Sequence, residues 1–303
     1  MKRFICVLLV VSILCLNACT SNAPRTDDKI TVAASFYPVY IFTVNLLNGI
    51  EEINVECMAE QSVGCLHDYT LTARDAKLLN DAQVLVINGA GMESFLEDAL
   101  RSIRNLNVID SSVSIHTICK EEHHPEEKSD DHHHHENSHI WLSLANARVQ
   151  VGNIRNELIK EFPQYENEIE DNYSDYIERL DALEEKREKI ALQTNRVNII
   201  SFHGSYEYLA EDVGLKICHT IESDEGYEPS AKEIANLSNR IKNENIKALF
   251  VSPDYSGSAA EILKRETNTD IYVINPIISG EDVLTAYEDI MEENYKMILK
   301  AVK

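Results

Sequence analysis

Short apolar runs alternate along the chain with stretches of helical periodicity. Lys29 to Phe36 (KITVAASF), Ile53 to Met58, Val84 to Asn88 and Val108 to Asp110 have strand length and β-rich composition. Between them, Tyr40 to Leu47, Thr72 to Asn80 and Ser94 to Ile103 read as helices. Thr70 or Thr72 is available as a cap, and Gly89 and Gly91 bound the third strand. The second half repeats the order, with strands at Val197 to Ser201, Leu215 to His219, Ala248 to Val251 and Ile271 to Ile274. Its helices fall at Ser205 to Asp212, Ser230 to Asn243 (entered after Pro229), Ala259 to Thr267 and Val283 to Val302. Strands alternating with helices predict parallel sheets covered on both faces. The expected fold class is α/β, with two (β/α) lobes, each built on a parallel four-stranded sheet.

Between the halves, Gln164 to Gln193 contains no Gly or Pro. Ile169, Tyr173, Tyr176, Ile177, Leu180, Leu183 and Ile190 recur there at the spacing of one helix face. About thirty residues at roughly 1.5 Å each make a rod of about 45 Å, one long backbone helix able to join both lobes. A second helix, Ala145 to Glu161, precedes it and stops at Pro163. The expected lobes are therefore 29–163 and 194–303, with 164–193 linking them.

The N-terminus decides the compartment. Lys2 and Arg3 precede an apolar run, Phe4 to Leu16, too short to span a bilayer and shaped like a signal-peptide core. Leu16-Asn17-Ala18-Cys19 has the form of a bacterial lipobox. The expectation is removal of residues 1–18, diacylation of Cys19, and residues 19–28 as a polar tether on the extracytoplasmic face of the cell membrane. Two acyl chains would anchor the protein stably. No second hydrophobic segment approaches spanning length. With 28 basic and 51 acidic residues, the net charge of −23 excludes nucleic acid as a partner and suits either cation attraction or plain solubility. Cys57, Cys65, Cys119 and Cys218 allow three complete disulfide pairings, among which the sequence does not choose, although for Cys65 a bridge to Cys57 is expected over a ligating thiolate. No CxxC is present, which excludes a zinc ribbon.

Glu121 to Ser138 (EEHHPEEKSDDHHHHENS) holds six His, seven acids and one Lys. Such composition cannot bury a core, so a surface loop is expected, either capturing metal loosely or without an essential task. Three other histidines stand in distinctive contexts. His67 lies between a strand and a helix, His139 at the start of a helix beside Trp141, and His203 just past the first strand of the second lobe. Ligands of open α/β sheets bind outside the carboxyl ends of strands, where His67 and His203 both fall.

These phrases resemble those of the zinc-, manganese- and iron-binding lipoproteins of ABC importers, the cluster A-I solute-binding family. Its members typically carry PHDY-like, DPHxWLDP-like and S(H/E)xxF-like motifs, each supplying a metal ligand. Similar here are Leu66-His67-Asp68-Tyr69, then Ser138-His139-Ile140-Trp141-Leu142-Ser143, then His203 followed by Tyr206. Ala34-Ser35-Phe36-Tyr37-Pro38-Val39-Tyr40 and Val86-Ile87-Asn88-Gly89-Ala90-Gly91-Met92-Glu93 are similar as well, and the likeness covers the whole mature chain. Leu66 and Ser138 replace Pro, and Asn137 and Ser143 replace Asp, all outside the ligand positions. The resemblance implies His67, His139 and His203 as metal ligands. The family often places an acid near the start of the last helix. Asp282 is taken for that fourth position, with Glu281, Cys65 or a water as alternatives.

Three neutral imidazoles and one oxygen suit Zn2+ better than Mn2+, which prefers more carboxylates. The resemblance thus implies capture of zinc between two lobes and delivery to an ABC permease and its ATPase. A manganese- or iron-binding homologue and a metal-stabilised surface adhesin are the alternatives. No enzyme is expected, since no His-Glu-x-x-His element accompanies these histidines, although Glu207 is available as a base for a rival zinc hydrolase.

Overall fold

The computed structural model describes residues 29–59, 66, 69–101, 103–118, 136–221 and 229–303. The first half places β1 (Ile30–Phe36), β2 (Ile53–Ala59), β3 (Val84–Ile87) and β4 (Asn107–Asp110) in one sheet of order β2-β1-β3-β4. The second half places β5 (Asn198–Ser201), β6 (Lys216–Thr220), β7 (Ala248–Val251) and β8 (Asp270–Val273) in another, of order β6-β5-β7-β8. Strands β1 and β5 are central in their sheets, and pair in parallel with β3 and β7 respectively. Their residues are apolar on both faces: Val32, Ala33 and Ala34 in β1 and Ile199 and Ile200 in β5 are all fully buried, as a sheet covered by helices demands.

The helices are α1 (Tyr37–Leu46), α2 (Ala73–Asp81), α3 (Glu97–Leu100), α4 (Leu144–Glu161), α5 (Glu166–Thr194), α6 (Glu207–Asp212), α7 (Ala231–Asn243), α8 (Ala259–Thr267) and α9 (Ala286–Ala301). Two begin with reciprocal caps. Thr72 receives the Asp75 amide while Asp75 receives that of Thr72, and Ser230 and Glu233 repeat the device. The helix expected over Ser94 to Ile103 is shorter, a 3-10 turn at Ser94–Leu96 followed by the single turn of α3. After Leu100 the chain bends so that Ile103 and Leu106 pack onto the cluster around Leu79, Leu85 and Leu96, which a straight continuation would not allow. The last helix starts at Ala286 rather than Val283, because the preceding residues are held by α1. Tyr37 Oη donates to the Glu281 carbonyl (2.6 Å) and Asn45 Nδ2 to that of Leu284 (3.0 Å). A Cβ at Gly280 would lie 2.4 Å from the Tyr37 hydroxyl, so this approach requires glycine.

Helix α5 is the long linking element, 29 residues with Ile169, Tyr176, Leu180, Leu183 and Ile190 buried along one side. It ends at Asn195, which adopts the left-handed conformation common just past helix C-termini. The carboxyl-terminal segment returns to the first half, and Arg179 of α5 joins both. Its Nε donates to Glu288 Oε1 of α9 (2.7 Å), its Nη2 to the side-chain oxygen of Asn45 in α1, and its guanidinium lies 4.8 Å from the Tyr176 ring centroid.

Burial pushes the Glu288 carboxyl up, and Arg179 is the partner that opposes this. The Glu288 side chain is 9% exposed, so removing the guanidinium strands a nearly buried charge. Arg179→Ala is expected to cost about 3 kcal/mol in urea unfolding, the size seen when one partner of a buried pair is deleted. A loss below about 1 kcal/mol would class the contact with ordinary surface pairs.

Candidate metal centre

Where the carboxyl ends of the strands meet, a cavity of about 10 Å³ is lined by Phe36, Leu66, Met92, His139, Trp141, His203, Pro276 and Ile278. That is about the space of one water or one small ion. Phe36 ends β1, Met92 follows β3, His203 follows β5, and Pro276 and Ile278 follow β8. The site therefore draws on both sheets. Ile277, between two lining residues, is fully buried with φ at 60°, a conformation costly for a β-branched side chain. Its N–H is satisfied by Asn275 Oδ1 (2.8 Å), and Asn294 Oδ1 accepts from the Asn275 N–H in turn (2.7 Å).

His139 and His203 face each other across this cavity, ring centroids 5.5 Å apart and nearly perpendicular. Two imidazoles bound at about 2.0–2.1 Å to one tetrahedral ion would have centroids about 5 Å apart. His67 lies outside the described residues, although its neighbour Leu66 lines the cavity. Cys19, Cys65 and Cys119 also lie outside them, and with Cys65 the pairing proposed for Cys57. Among the described residues no cluster of three or more His, Cys, Asp or Glu side chains gathers. Asp282 is exposed, its Oδ1 accepting from the Tyr40 hydroxyl (2.9 Å), and Glu281 is likewise exposed; neither lines the cavity.

The two rings are held differently. His139, only 2% exposed, has Nδ1 2.9 Å from Asn137 Oδ1, and its backbone N–H donates to the same oxygen (3.0 Å). A carbonyl oxygen only accepts, so Nδ1 carries a proton, and in the neutral ring Nε2 is then the lone-pair nitrogen. At His203 the ring accepts instead. Nδ1 takes the Ser205 N–H (3.0 Å), capping the 3-10 turn Gly204–Tyr206 that leads into α6. Its turn is fixed by Ser201, whose hydroxyl donates to the His203 carbonyl (2.5 Å). Trp141 packs against both His139 (centroids 5.2 Å) and Phe36 (4.9 Å, edge-on), and its Nε1 donates to the Pro276 carbonyl (2.8 Å).

The expected surface loop ends earlier than Ser138. Asn137 and Ser138 are buried, with Asn137 hydrogen-bonded on every side, whereas residues 119–135 lie outside the described set. Composition averaged over the tract hid this, because the polar Asn and Ser at its end have partners waiting in the core. Glu93 is a second buried group that periodicity missed. It accepts from Ser35 Oγ (2.7 Å) and from the amides of Asn88 (2.8 Å) and Gly89 (3.1 Å), beneath the cavity wall at Met92.

Two parallel α/β halves with a small cavity between their sheets, faced by two imidazoles, define the class of scaffold. The chain belongs to the zinc-uptake complex component A (periplasmic) family, whose pattern matches residues 32–301. It is 31% identical over 299 residues to the high-affinity zinc uptake system protein ZnuA of Bacillus subtilis strain 168, covering 95% of this chain and 92% of that protein. It is 27% identical over 307 residues to the zinc-binding lipoprotein AdcA of Streptococcus pneumoniae, covering 98% of this chain but 60% of that protein's length. A crystal structure of ZnuA superposes with TM-score 0.77 at 23% identity, covering 91% of this chain and 100% of that one. The Zn(II)-bound ZnuA-like domain of pneumococcal AdcA gives 0.76 at 25%, covering 90% and 99%.

Burial pushes the Glu93 carboxyl up to about 7, against the three donors that lower it. A folded-state value above the unfolded one, about 4.3, means the native state holds a proton the unfolded chain has lost. Its contribution is complete below pH 4.3 and is lost as pH rises to about 7. Glu93→Gln should therefore gain stability relative to wild type across that window, on the order of 3 kcal/mol. Denaturation of both proteins at pH 4.5 and 7.5 checks it; a difference that does not change with pH would mean Glu93 stays ionised.

Proposed function

We propose that this protein is an extracytoplasmic, lipid-anchored component of an ABC importer that binds zinc between its two lobes and delivers it to the permease and its ATPase. The observation that carries this reading is a cavity the size of one ion, faced by imidazoles from opposite halves of the chain. Zinc is favoured because the donors are nitrogens in an apolar shell, and the relatives bear zinc-binding names. His67 completes a three-histidine set, and a fourth donor comes from Asp282, Glu281, Cys65 or water. The lobes correspond to residues 29–163 and 194–303 with 164–193 between. No described helix is long and apolar enough to cross a membrane, and attachment is assigned to a diacylated Cys19. An enzymatic role is disfavoured by the small space and by Glu207, the candidate base, whose carboxylate accepts from Asn137 (2.8 Å).

Binding through Nε2 of His203 requires that ring to shift its proton to Nδ1 and release the Ser205 amide. Calorimetry should give one tight zinc equivalent, with the Ser205 amide resonance moving as the site fills. His203→Ala should lower affinity by about 100-fold or more, since even an outer partner is worth 10–100-fold. His203→Glu should weaken zinc and shift preference toward manganese. Unchanged zinc affinity in both variants would remove His203 from the site.

Zinc uptake by the His-rich tract is expected to be weak and separable. Asn137 donates its N–H to the Ile118 carbonyl (2.8 Å), so the ends of that tract lie together and a short linker can replace 119–135. The shortened protein should lose low-affinity, multi-ion binding and keep the tight equivalent. Loss of the tight equivalent would place the tract in the primary site.

A further inference from the structure

Asn137 touches both the ring of His139 and the turn that follows His203. Its Oδ1 accepts twice from His139, from the ring Nδ1 and the backbone N–H. Its Nδ2 donates to the carbonyl of Gly204 (3.0 Å), the residue directly after His203, and to Glu207 Oε2 (2.8 Å) in the first turn of α6. Its own backbone is pinned as well, since its carbonyl accepts from the Tyr208 hydroxyl (2.7 Å). The amide is thus fully committed, and its orientation is determined. Turning it over would set its NH2 against the donors of His139 and its oxygen against two acceptors.

We infer that Glu207 and Asn137 form a carboxylate–amide–imidazole relay that positions the metal-binding nitrogen of His139 and couples it to the segment bearing His203. This rests on the metal-site reading above. A metal-binding histidine usually gives its second N–H to a carboxylate, carbonyl or water, which fixes the tautomer and strengthens the ligand. Here the outer carboxylate acts at one remove. Glu207 draws on the Asn137 NH2, the amide polarises, and Oδ1 becomes a better acceptor for the His139 Nδ1–H. Nε2 is then the ring's lone-pair nitrogen, on a side chain that lines the cavity, before any ion arrives. Glu207 also explains why residue 137 is an amide: an Asp there would face the Glu207 carboxylate at hydrogen-bond distance with no proton between them. The negative charge can stand at 137 or at 207, but not at both.

The relay predicts a coupled pair. In metal-free wild type, long-range proton–nitrogen NMR should show the His139 ring protonated on Nδ1 and bare on Nε2. Zinc competition should find Asn137→Asp weaker by 10–100-fold. Glu207→Gln, which keeps the side chain's shape, should be weaker by several-fold with the same circular dichroism. Combining the two places the carboxylate directly on the imidazole with an amide behind it, and should recover most of the Asn137→Asp loss. A His139 ring protonated on Nε2 in wild type overturns the relay, as does a double variant no tighter than Asn137→Asp alone. Should Asn137→Asp not fold, the wild-type tautomer and its persistence or loss in Glu207→Gln decide the matter. A wild type that takes up no zinc overturns the metal reading, and the tautomer then decides the relay.

Discussion

An indole buried without a partner for its N–H would cost most of what its apolar surface gains. Trp141 meets that constraint across the two halves of the chain. It is fully buried, its N–H goes to the Pro276 carbonyl beyond β8, and its own carbonyl accepts from the Tyr287 hydroxyl of α9 (2.8 Å). Around it are arranged Phe36 at the end of β1, the His139 ring and the cavity wall. The Pro276 carbonyl leads into Ile277, the buried residue held at positive φ. Backbone strain thus sits beside the cavity, secured by the Asn275–Asn294 hydrogen bonds behind it.

Much of this architecture is legible in the sequence because it follows from periodicity. β-rich runs in a chain of alternating helices yield both sheets, and a glycine- and proline-free stripe yields α5. The places where periodicity misleads are those where polar side chains find partners. Ser94 to Ile103 bends inward, residues 282–285 are laced to α1 rather than helical, and Asn137 and Ser138 look like loop yet lie in the core. Each depends on a contact distant in sequence, which local pattern does not encode.

The candidate site is legible to a different degree. His139 and His203 declare themselves by their place past strand ends and beside a unique Trp, and the fold brings them face to face. The distinction between them is invisible in sequence: one ring is fixed as a donor at Nδ1, the other as an acceptor, and only three-dimensional neighbours assign those roles. Asp282, a candidate fourth donor, accepts from the Tyr40 hydroxyl at an exposed edge.

Helix α5 has a thermodynamic meaning beyond its length. Its buried stripe runs beneath elements of both lobes, and Arg179 ties it to α1 and α9 together. Residues 31–303 accordingly form one compact unit rather than two. A lobe that came apart alone would leave part of that stripe facing water, so partial unfolding is penalised from both sides. Heating should meet a single endotherm, with calorimetric and van't Hoff enthalpies in agreement, because helices of both halves pack on the same α5.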